Sequence, residues 1–375
     1  MDYRSASLAF KLRKTWRYVT MYGPRRTLAK VRAQYHMARR YEVLPEPSMK
    51  FKDDQVFGII GCGNYAYSTI AYYLQREFGG RIRACMDIDA HRAASLAQAY
   101  NVPFHTTDAA RIVEDPKIKQ VFIASNHASH AEYAIQCLNA GKSVYIEKPP
   151  VVNEAQLSRL LVAVRESPGK IFLGYNRPGS RFGRIILRQL SLEPGSAVIN
   201  WFVAGHKIDP DHWYYKPEEG GRVLGNLCHW IDFTLAMAGV DAFPVTIVPA
   251  RHSQSDSNIA VSYVFANGTV AAITFSAKGH TFEGVMERLS IHKGDILITM
   301  DDYRVMTVRR GASKKRYVNY LRDHGHKRNI VGAARSVLMD EPQDKSRVIA
   351  RLEKSSTLML ATRRALEECA PVTVQ

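Results

Sequence analysis

Val56-Phe57-Gly58-Ile59-Ile60-Gly61-Cys62-Gly63-Asn64-Tyr65-Ala66 is the stretch that decides the fold. An apolar, strand-like run ends in a glycine-rich turn. Gly61 permits the tight exit from the strand, and Gly63 lets backbone approach a pyrophosphate. Ala66 replaces the third glycine of such turns and is small enough for helix to pack on strand. The helix that starts there aims its first N–H groups at the phosphates, with Asn64 and Tyr65 in the same turn. Arg83-Ala84-Cys85-Met86-Asp87 reads as the second strand. Its terminal Asp87 is placed to accept hydrogen bonds from both ribose hydroxyls and to repel a 2′-phosphate, which favours NAD, while the neighbouring Arg92 keeps NADP open. The bland alternative for the turn alone is an ordinary strand-to-helix connection.

The alternation continues. Gln120 to Ala124 is a buried-strand candidate that ends in Ser125-Asn126-His127-Ala128-Ser129-His130. A helix is expected over 131–140 with Gly141 at its end, then a strand from Ser143 to Ile146 leading into Glu147-Lys148-Pro149-Pro150. Strands alternating with helices imply a doubly wound parallel sheet, whose ligands sit beyond the carboxyl ends of the strands. Ser125, Asn126, His127, His130 and Lys148 all fall at such ends.

The pattern Asn126-x3-His130-x3-Ala134-x6-Gly141-Lys142-x-Val144-x2-Glu147-Lys148-Pro149 resembles the signature of the glucose–fructose oxidoreductase and inositol dehydrogenase (Gfo/Idh/MocA) family. Downstream, Gly220-Gly221-Arg222-Val223-Leu224-Gly225-Asn226-Leu227-Cys228-His229-Trp230-Ile231-Asp232 is similar to that family's second signature. The resemblance implies an NAD-dependent oxidoreductase acting on a sugar or cyclitol hydroxyl, in either direction. Glu147, Lys148 and Pro149 would then border the cofactor, with the proline in a cis peptide in many relatives. Lys148 would bond the reacting oxygen and move its proton, and His229 would be a general base. A partly desolvated lysine beside a cationic ring, and a histidine, both exchange protons near neutrality. One departure stands out: many relatives carry an aspartate where this chain has Gly225, leaving Asn226 as the nearest polar substitute. Asp232, one turn after His229, either orients that histidine or caps a neighbouring backbone group.

The segments Gly174-Tyr175-Asn176-Arg177-Pro178-x2-Arg181-Phe182 and Pro210 to Gly221 resemble a branch of the family linked to surface-polysaccharide and sugar-nucleotide metabolism. In that branch an alcohol-dehydrogenase-like half often precedes this one, and the zinc-ligand cysteine clusters it needs are absent from this sequence. Asn176, Arg177 and Arg181 are candidate substrate ligands, because a guanidinium fork suits phosphate or carboxylate; a surface or interdomain salt bridge is the equal alternative. Trp213 and Tyr214 can stack on a sugar or base, or can be ordinary core aromatics.

Composition fits this reading. The chain has 375 residues, 46% hydrophobic and 23% charged, enough for two cores. Expected organisation is a basic amphipathic extension over 1–50, a Rossmann domain over 51–173, an α+β domain over 174–344, and a final helix over 345–375. The α+β domain should hold an open, largely antiparallel sheet, with strands at 196–206, 245–252, 259–265, 269–277, 287–292, 296–300 and 303–309. Five scattered cysteines without Cys-x-x-Cys spacing point to a reducing, cytoplasmic setting and to no metal site. No apolar run approaches the ~18 residues of a membrane helix, and the N-terminus lacks the apolar core of a signal peptide.

Charge is the least expected feature. The net formal charge is +17, and residues 1–50 alone hold twelve Lys or Arg against Asp2, Glu42 and Glu46. Leu8, Leu12, Trp16 and Val19 recur at helical spacing, as do Leu28, Val31 and Tyr35, with Gly23-Pro24 between the two helices. Such basic amphipathic helices suit an anionic membrane surface. Otherwise the extension packs on the second domain or on a partner subunit; nucleic-acid motifs are absent. A second basic stretch over 309–328 frames an anionic substrate or, more ordinarily, a solvated loop. The leading expectation is hydride exchange between NAD and a nucleotide-linked sugar, in a homodimer or homotetramer by analogy. A glycosidase that uses transient oxidation by held NAD, and a non-catalytic cofactor sensor, are the alternatives.

Overall fold

The computed structural model describes residues 3, 5–209, 211–250, 258–279 and 284–375. Pro210 and the end of the expected 245–252 strand lie outside these. The chain forms two compact units: Met1–Gly174 with His326–Ile349, and Tyr175–Gly325 with Ala350–Gln375. Residues 326–344, which the sequence reading assigned to the second domain, thus cluster with the first.

The first unit begins with α1 (Leu8–Tyr22) and α2 (Pro24–His36), divided at Gly23, whose φ of +79° a side chain would strain. Six strands follow, β1 (Phe57–Ile60), β2 (Ile82–Met86), β3 (Phe104–Thr106), β4 (Gln120–Ile123), β5 (Ser143–Ile146) and β6 (Ile171–Leu173). They alternate with α3 (Tyr72–Phe78), α4 (Ala90–Tyr100), α5 (Ala110–Val113), α6 (His127–Asn139) and α7 (Glu154–Glu166). All neighbours run parallel, in the order β3-β2-β1-β4-β5-β6, the doubly wound dinucleotide-binding topology. Every residue of β1, β4 and β5 is buried, as a sheet covered on both faces requires.

That cover has two sources the sequence reading did not foresee. Ala33 of α2 joins the apolar core beside Phe57, Ile59, Ile70 and Leu74, and so do Ile330, Ala333 and Ala334 of the later helix α10 (His326–Leu338). The extension therefore belongs to the first unit, where α2 packs against the Ala66–Ala71 stretch and α4. Arg26 of α2 donates to Thr69 Oγ1 at 2.7 Å while lying over the rings of Tyr72 and Tyr73. His36 stacks on Tyr67 with ring centroids 4.3 Å apart.

The second unit carries α8 (Arg181–Ser191) and α9 (Cys228–Ala238), and α11 (Lys345–Glu368) runs into it. Its sheet comprises β7 (Val198–His206), β8 (Val245–Ala250), β9 (Asn258–Phe265), β10 (Val270–Gly279), β11 (Met286–Lys293), β12 (Ile296–Asp301), β13 (Val305–Arg310), β14 (Ser313–Val318) and β15 (Val372–Val374). The order is β14-β13-β12-β11-β7-β10-β9-β8-β15, antiparallel except for β7 against β10. The fold is thus an α/β protein with a parallel Rossmann sheet and a second, mostly antiparallel sheet.

The strand β14 takes up the second basic stretch. Lys314, Lys315 and Arg316 are exposed along a sheet edge, where charge blunts edge-to-edge pairing. Along β7 exposed and buried positions alternate: Trp201 and Val203 point into the core, and Val198 and Phe202 do not.

Candidate active site

The order of the first sheet reverses between β1 and β4, so the crevice for a ligand opens beyond the carboxyl ends of those two strands. Gly61 occupies that switch point with φ +88°. A Cβ there would lie 2.4 Å from the Ser125 backbone nitrogen and 2.5 Å from the Ala124 carbonyl carbon, so only glycine fits. At Gly63 the opposite holds: a Cβ would meet nothing within 4 Å. The backbone of Gly63 faces open space at the strand edge, which is the cradle a pyrophosphate needs. The turn passes through Asn64 and Tyr65 into a π-helical stretch, Ala66–Ala71, before α3 begins. π-Helical turns interrupt helices most often at functional sites.

Asp87, 7% exposed just past β2, accepts hydrogen bonds from the Cys62 N–H at 2.7 Å and the Asp89 N–H at 2.9 Å. Each oxygen keeps a second lone pair for a ribose hydroxyl. Arg92 lies 3.4 Å and Arg40 3.2 Å from the Asp89 carboxylate, so both guanidiniums beside Asp87 are held by an acid. This arrangement fits NAD. The Cys62 carbonyl in turn meets His36 Nε2 at 2.6 Å, a contact from the extension that no motif signalled.

After β4, Asn126 is the exposed N-cap of α6, and its Oδ1 accepts from the Ser129 hydroxyl at 2.6 Å. The same hydroxyl lies 2.7 Å from Ser125 Oγ. His130, by contrast, is 1% exposed and does not face the crevice. Its Nδ1 lies 2.8 Å from the Pro149 carbonyl and its Nε2 3.1 Å from the Ser125 carbonyl. It is a clamp between the ends of β4 and β5, which corrects its expected place among the cofactor contacts. Burial lowers its pKa to about 4, against the two carbonyls that would favour the cation. A neutral ring has one N–H, so it donates to one of these two carbonyls.

Lys148 follows β5 in a cis peptide with Pro149, and its side chain is half-buried. Glu147 is buried, and its carboxylate accepts from the Tyr145 hydroxyl and from the Lys148 N–H, both at 3.2 Å. Burial pushes the Glu147 carboxyl above its ordinary range, opposed by the charge of Lys148 and by the hydroxyl bonds. Tyr65 reaches the same cluster, with its hydroxyl 3.1 Å from His326 Nδ1. Asn329 bonds the Tyr145 hydroxyl and the Leu173 carbonyl. Tyr65 therefore braces the Lys148 loop through its hydroxyl. His326 and Asn329 carry no motif, and their partners Tyr65, Tyr145 and Leu173 lie 261, 184 and 156 residues away.

In the second unit several expected substrate ligands are otherwise engaged. Arg177, 6% exposed, forms a two-pronged pair with Glu287 at 2.8 and 2.6 Å, and Trp230 Nε1 donates to the same carboxylate. A buried pair of this kind cannot release its guanidinium to a ligand without stranding Glu287. Asn176 is fully buried and donates to the His324 carbonyl. Arg181 donates to the Val318 carbonyl and Asn319 Oδ1, anchoring the end of β14. Asp232 binds Arg351 through both oxygens, at 3.0 and 2.6 Å, and accepts from Ser355. It ties α9 to α11.

Five expected residues keep an accessible surface: Arg181 and Trp213 are exposed, the latter 37%, with Tyr214, Asn226 and His229 half-buried. Trp213 and Tyr214 meet edge-to-face at 4.5 Å in a short 3-10 turn. His229 opens α9 directly after a second π-helical stretch, Val223–Leu227. Arg222, which the sequence reading passed over, holds this region together. It is 2% exposed and donates to Asn226 Oδ1, the Tyr215 hydroxyl and the His206 carbonyl.

The His130 clamp has a pH signature. The unfolded chain takes the proton near pH 6.5 and the folded protein only near 4, so acidification through that window favours unfolding. The wild type should lose about 3 kcal/mol more stability than His130→Gln between pH 6.5 and 4, by chemical denaturation. Parallel curves for the two proteins would contradict the clamp.

Residues 56–175 match the family model described as "Oxidoreductase family, NAD-binding Rossmann fold", GFO_IDH_MocA. The uncharacterized oxidoreductase YrbE of Bacillus subtilis strain 168 is 32% identical over 226 residues, 58% of this chain and 66% of that protein. Inositol 2-dehydrogenase of Gluconacetobacter diazotrophicus is 34% identical over 122 residues, 32% of this chain and 36% of its own length. The chain therefore spans less than two thirds of the length of each of these curated relatives. Levoglucosan dehydrogenase, solved with NADH and levoglucosan, superposes with a TM-score of 0.68 at 18% identity, over 85% of this chain and 98% of that one, which speaks for the fold. The glycine turn, the Asp87 carboxylate and the clamped Lys148 loop thus lie in the segment, residues 56–175, that matches the NAD-binding Rossmann model of the Gfo/Idh/MocA oxidoreductase family.

Proposed function

We propose that this protein is an NAD-dependent oxidoreductase that exchanges hydride with a carbinol carbon of a sugar, with a nucleotide-linked sugar of polysaccharide assembly as its substrate. One observation carries the reading: Lys148 and the open backbone of Gly63 lie at the same edge of one parallel sheet. The strands they follow, β5 and β1, are separated only by β4. Gly61 to Gly63 would hold the pyrophosphate, Asp87 the ribose, and Asn126 the exposed rim beyond β4. Bound NAD supplies the two-electron acceptor.

Lys148 takes the hydroxyl proton as the C–H bond gives up its hydride and the C–O bond becomes a carbonyl; in the reverse direction it returns that proton. The Glu147 and His130 contacts fix the backbone on both sides of Lys148, so its ammonium stem starts from a rigid base. His229 is the second acid/base group, and Trp213 with Tyr214 offers ring faces to sugar C–H groups. The relatives named inositol and levoglucosan dehydrogenase support a polyol substrate. The substrate's anionic part must find cations other than the paired Arg177.

A homo-oligomer accompanies this reading. On the sheet of the second unit, Val198, Val264 and Val270 face outward in register across three strands, with Phe202 52% exposed beside them. An apolar sheet face of this kind is a subunit surface more often than a solvated one. Helix α1 leaves Leu8, Leu12 and Trp16 exposed among Lys11, Arg13, Lys14 and Arg17, the pattern of a helix lying on an anionic membrane. No helix among the described residues is long and apolar enough to cross one. Sedimentation of the protein alone, and with anionic vesicles, should show a dimer or larger that pellets with the lipid. A monomer that stays in the supernatant would remove both assignments.

The chemical role is tested at Lys148. Wild-type protein should reduce NAD at 340 nm with at least one member of a panel of polyols, hexoses and nucleotide sugars. Lys148→Ala should lose 10²-fold or more of that rate while NADH affinity stays within a few-fold. Turnover unchanged in Lys148→Ala would remove this lysine from the chemistry.

A further inference from the structure

The backbone groups of the glycine turn can be followed one by one. Gly61 N–H donates to the Met86 carbonyl at 2.8 Å, and Cys62 N–H donates to Asp87 at 2.7 Å. The Gly63 carbonyl accepts from Tyr67 N–H at 3.0 Å. The Cys62 carbonyl is held from outside the turn, by His36 Nε2 of α2 at 2.6 Å. The Gly63 N–H meets no acceptor among the described residues.

That last pair of facts is linked by geometry. The Cys62 carbonyl and the Gly63 N–H belong to one planar trans peptide, so they point to opposite sides. A bond that fixes the carbonyl therefore fixes the direction of the N–H. It also polarises the peptide, which makes the N–H a stronger donor. Left to itself, a peptide between cysteine and a glycine with open space around it can rotate.

His36 is well placed to prevent that. Its ring is 3% exposed and stacks on Tyr67 with centroids 4.3 Å apart. A carbonyl cannot donate, so Nε2 carries the proton in the contact with Cys62. Burial lowers the ring's pKa, against the Cys62 carbonyl and the charge of Asp87, and favours the neutral form. In that form Nδ1 accepts from the Ser95 hydroxyl of α4 at 2.9 Å. The donors then run in one direction: Ser95 O–H to Nδ1, Nε2–H to the Cys62 carbonyl, and the Gly63 N–H outward from the turn.

We propose that His36 is a positioning residue for the dinucleotide: by holding the Cys62 carbonyl it aims the Gly63 N–H at the pyrophosphate. The inference rests on the NAD reading given above. His36 lies before residue 56, where the match to the family model begins, so this support comes from the extension. Arg26, which donates to Thr69 from the same helix, fixes α2 against the stretch that follows the turn. The extension is thereby part of the cofactor site.

The test is calorimetric titration of NADH and of ADP-ribose into the full chain, well below the melting temperature of each variant. His36→Phe keeps a flat ring against Tyr67 and lacks the donor; it should bind both ligands about 10-fold more weakly than the wild type. His36→Gln carries an amide N–H at the reach of Nε2 and should stay within about threefold of the wild type. His36→Asn has the same amide one methylene shorter and should fall with His36→Phe, so the Gln and Asn pair decides if the Phe protein does not fold. Wild-type affinity in His36→Phe or His36→Asn would overturn the inference. So would a His36→Gln protein as weak as the other two, because the loss would then follow ring packing and not the donor. A loss for NADH that ADP-ribose does not share would overturn it as well, since ADP-ribose keeps the pyrophosphate. Each of these results leaves the NAD reading standing, whereas a wild type that binds neither ligand overturns both.

Discussion

The contact between Gly61 and the backbone of Ala124 and Ser125 is the constraint on which the rest of the first unit depends. Two strand ends approach so closely that one must lack a side chain. Because they do, the turn after β1 and the segment after β4 share one rim, and the pyrophosphate cradle at Gly63 opens between them. His130 then extends that rim to β5 by meeting Ser125 with one ring nitrogen and Pro149 with the other. Lys148 is placed by this succession of backbone contacts, with Glu147 beneath it. A reactive lysine on a loop would ordinarily wander; here the residues on either side are tied down.

The second unit shows what happens to charge when it is buried. Arg177 with Glu287, and Asp232 with Arg351, are each satisfied by two hydrogen bonds. Such pairs hold elements together and leave little for a ligand. What stays accessible among the expected residues is His229, Asn226, the Trp213–Tyr214 pair and Arg181, whose guanidinium bonds only the neutral Val318 carbonyl and Asn319 amide. Arg222 is the hub that keeps Asn226 near His229 on the turn before α9. The polar face of the unit is thus defined less by its charges than by which charges have already found partners.

Much of this was legible in the sequence, for a physical reason. Glycine at position 61, small residues at 63 and 66, and strand-end positions for Asn126 and Lys148 are local requirements that a short pattern expresses. The existence of two sheets, most of their strands and the long last helix also follow from local periodicity; the order of strands within each sheet does not. What escaped was long-range. Neither Arg177–Glu287 nor Asp232–Arg351 can be inferred from spacing, since each partner lies more than 100 residues away. For the same reason His326, Asn329 and the packing of α2 within the first unit were invisible: their apolar faces are readable, but not what covers them. β14 was hidden differently, because a sheet edge rich in lysine and arginine has the composition of a loop.

The central claim is that the open backbone at Gly63 holds a dinucleotide and that Asp87 makes it NAD. Calorimetric titration of NAD and NADP into the wild type and Gly63→Val tests it most directly. The account predicts one site per chain, NAD tighter than NADP by 10-fold or more. It also predicts loss of that site in Gly63→Val, whose Cβ enters the cradle with no protein atom within 4 Å. Absence of binding by either dinucleotide, or a Gly63→Val protein that binds NAD as the wild type does, would contradict it.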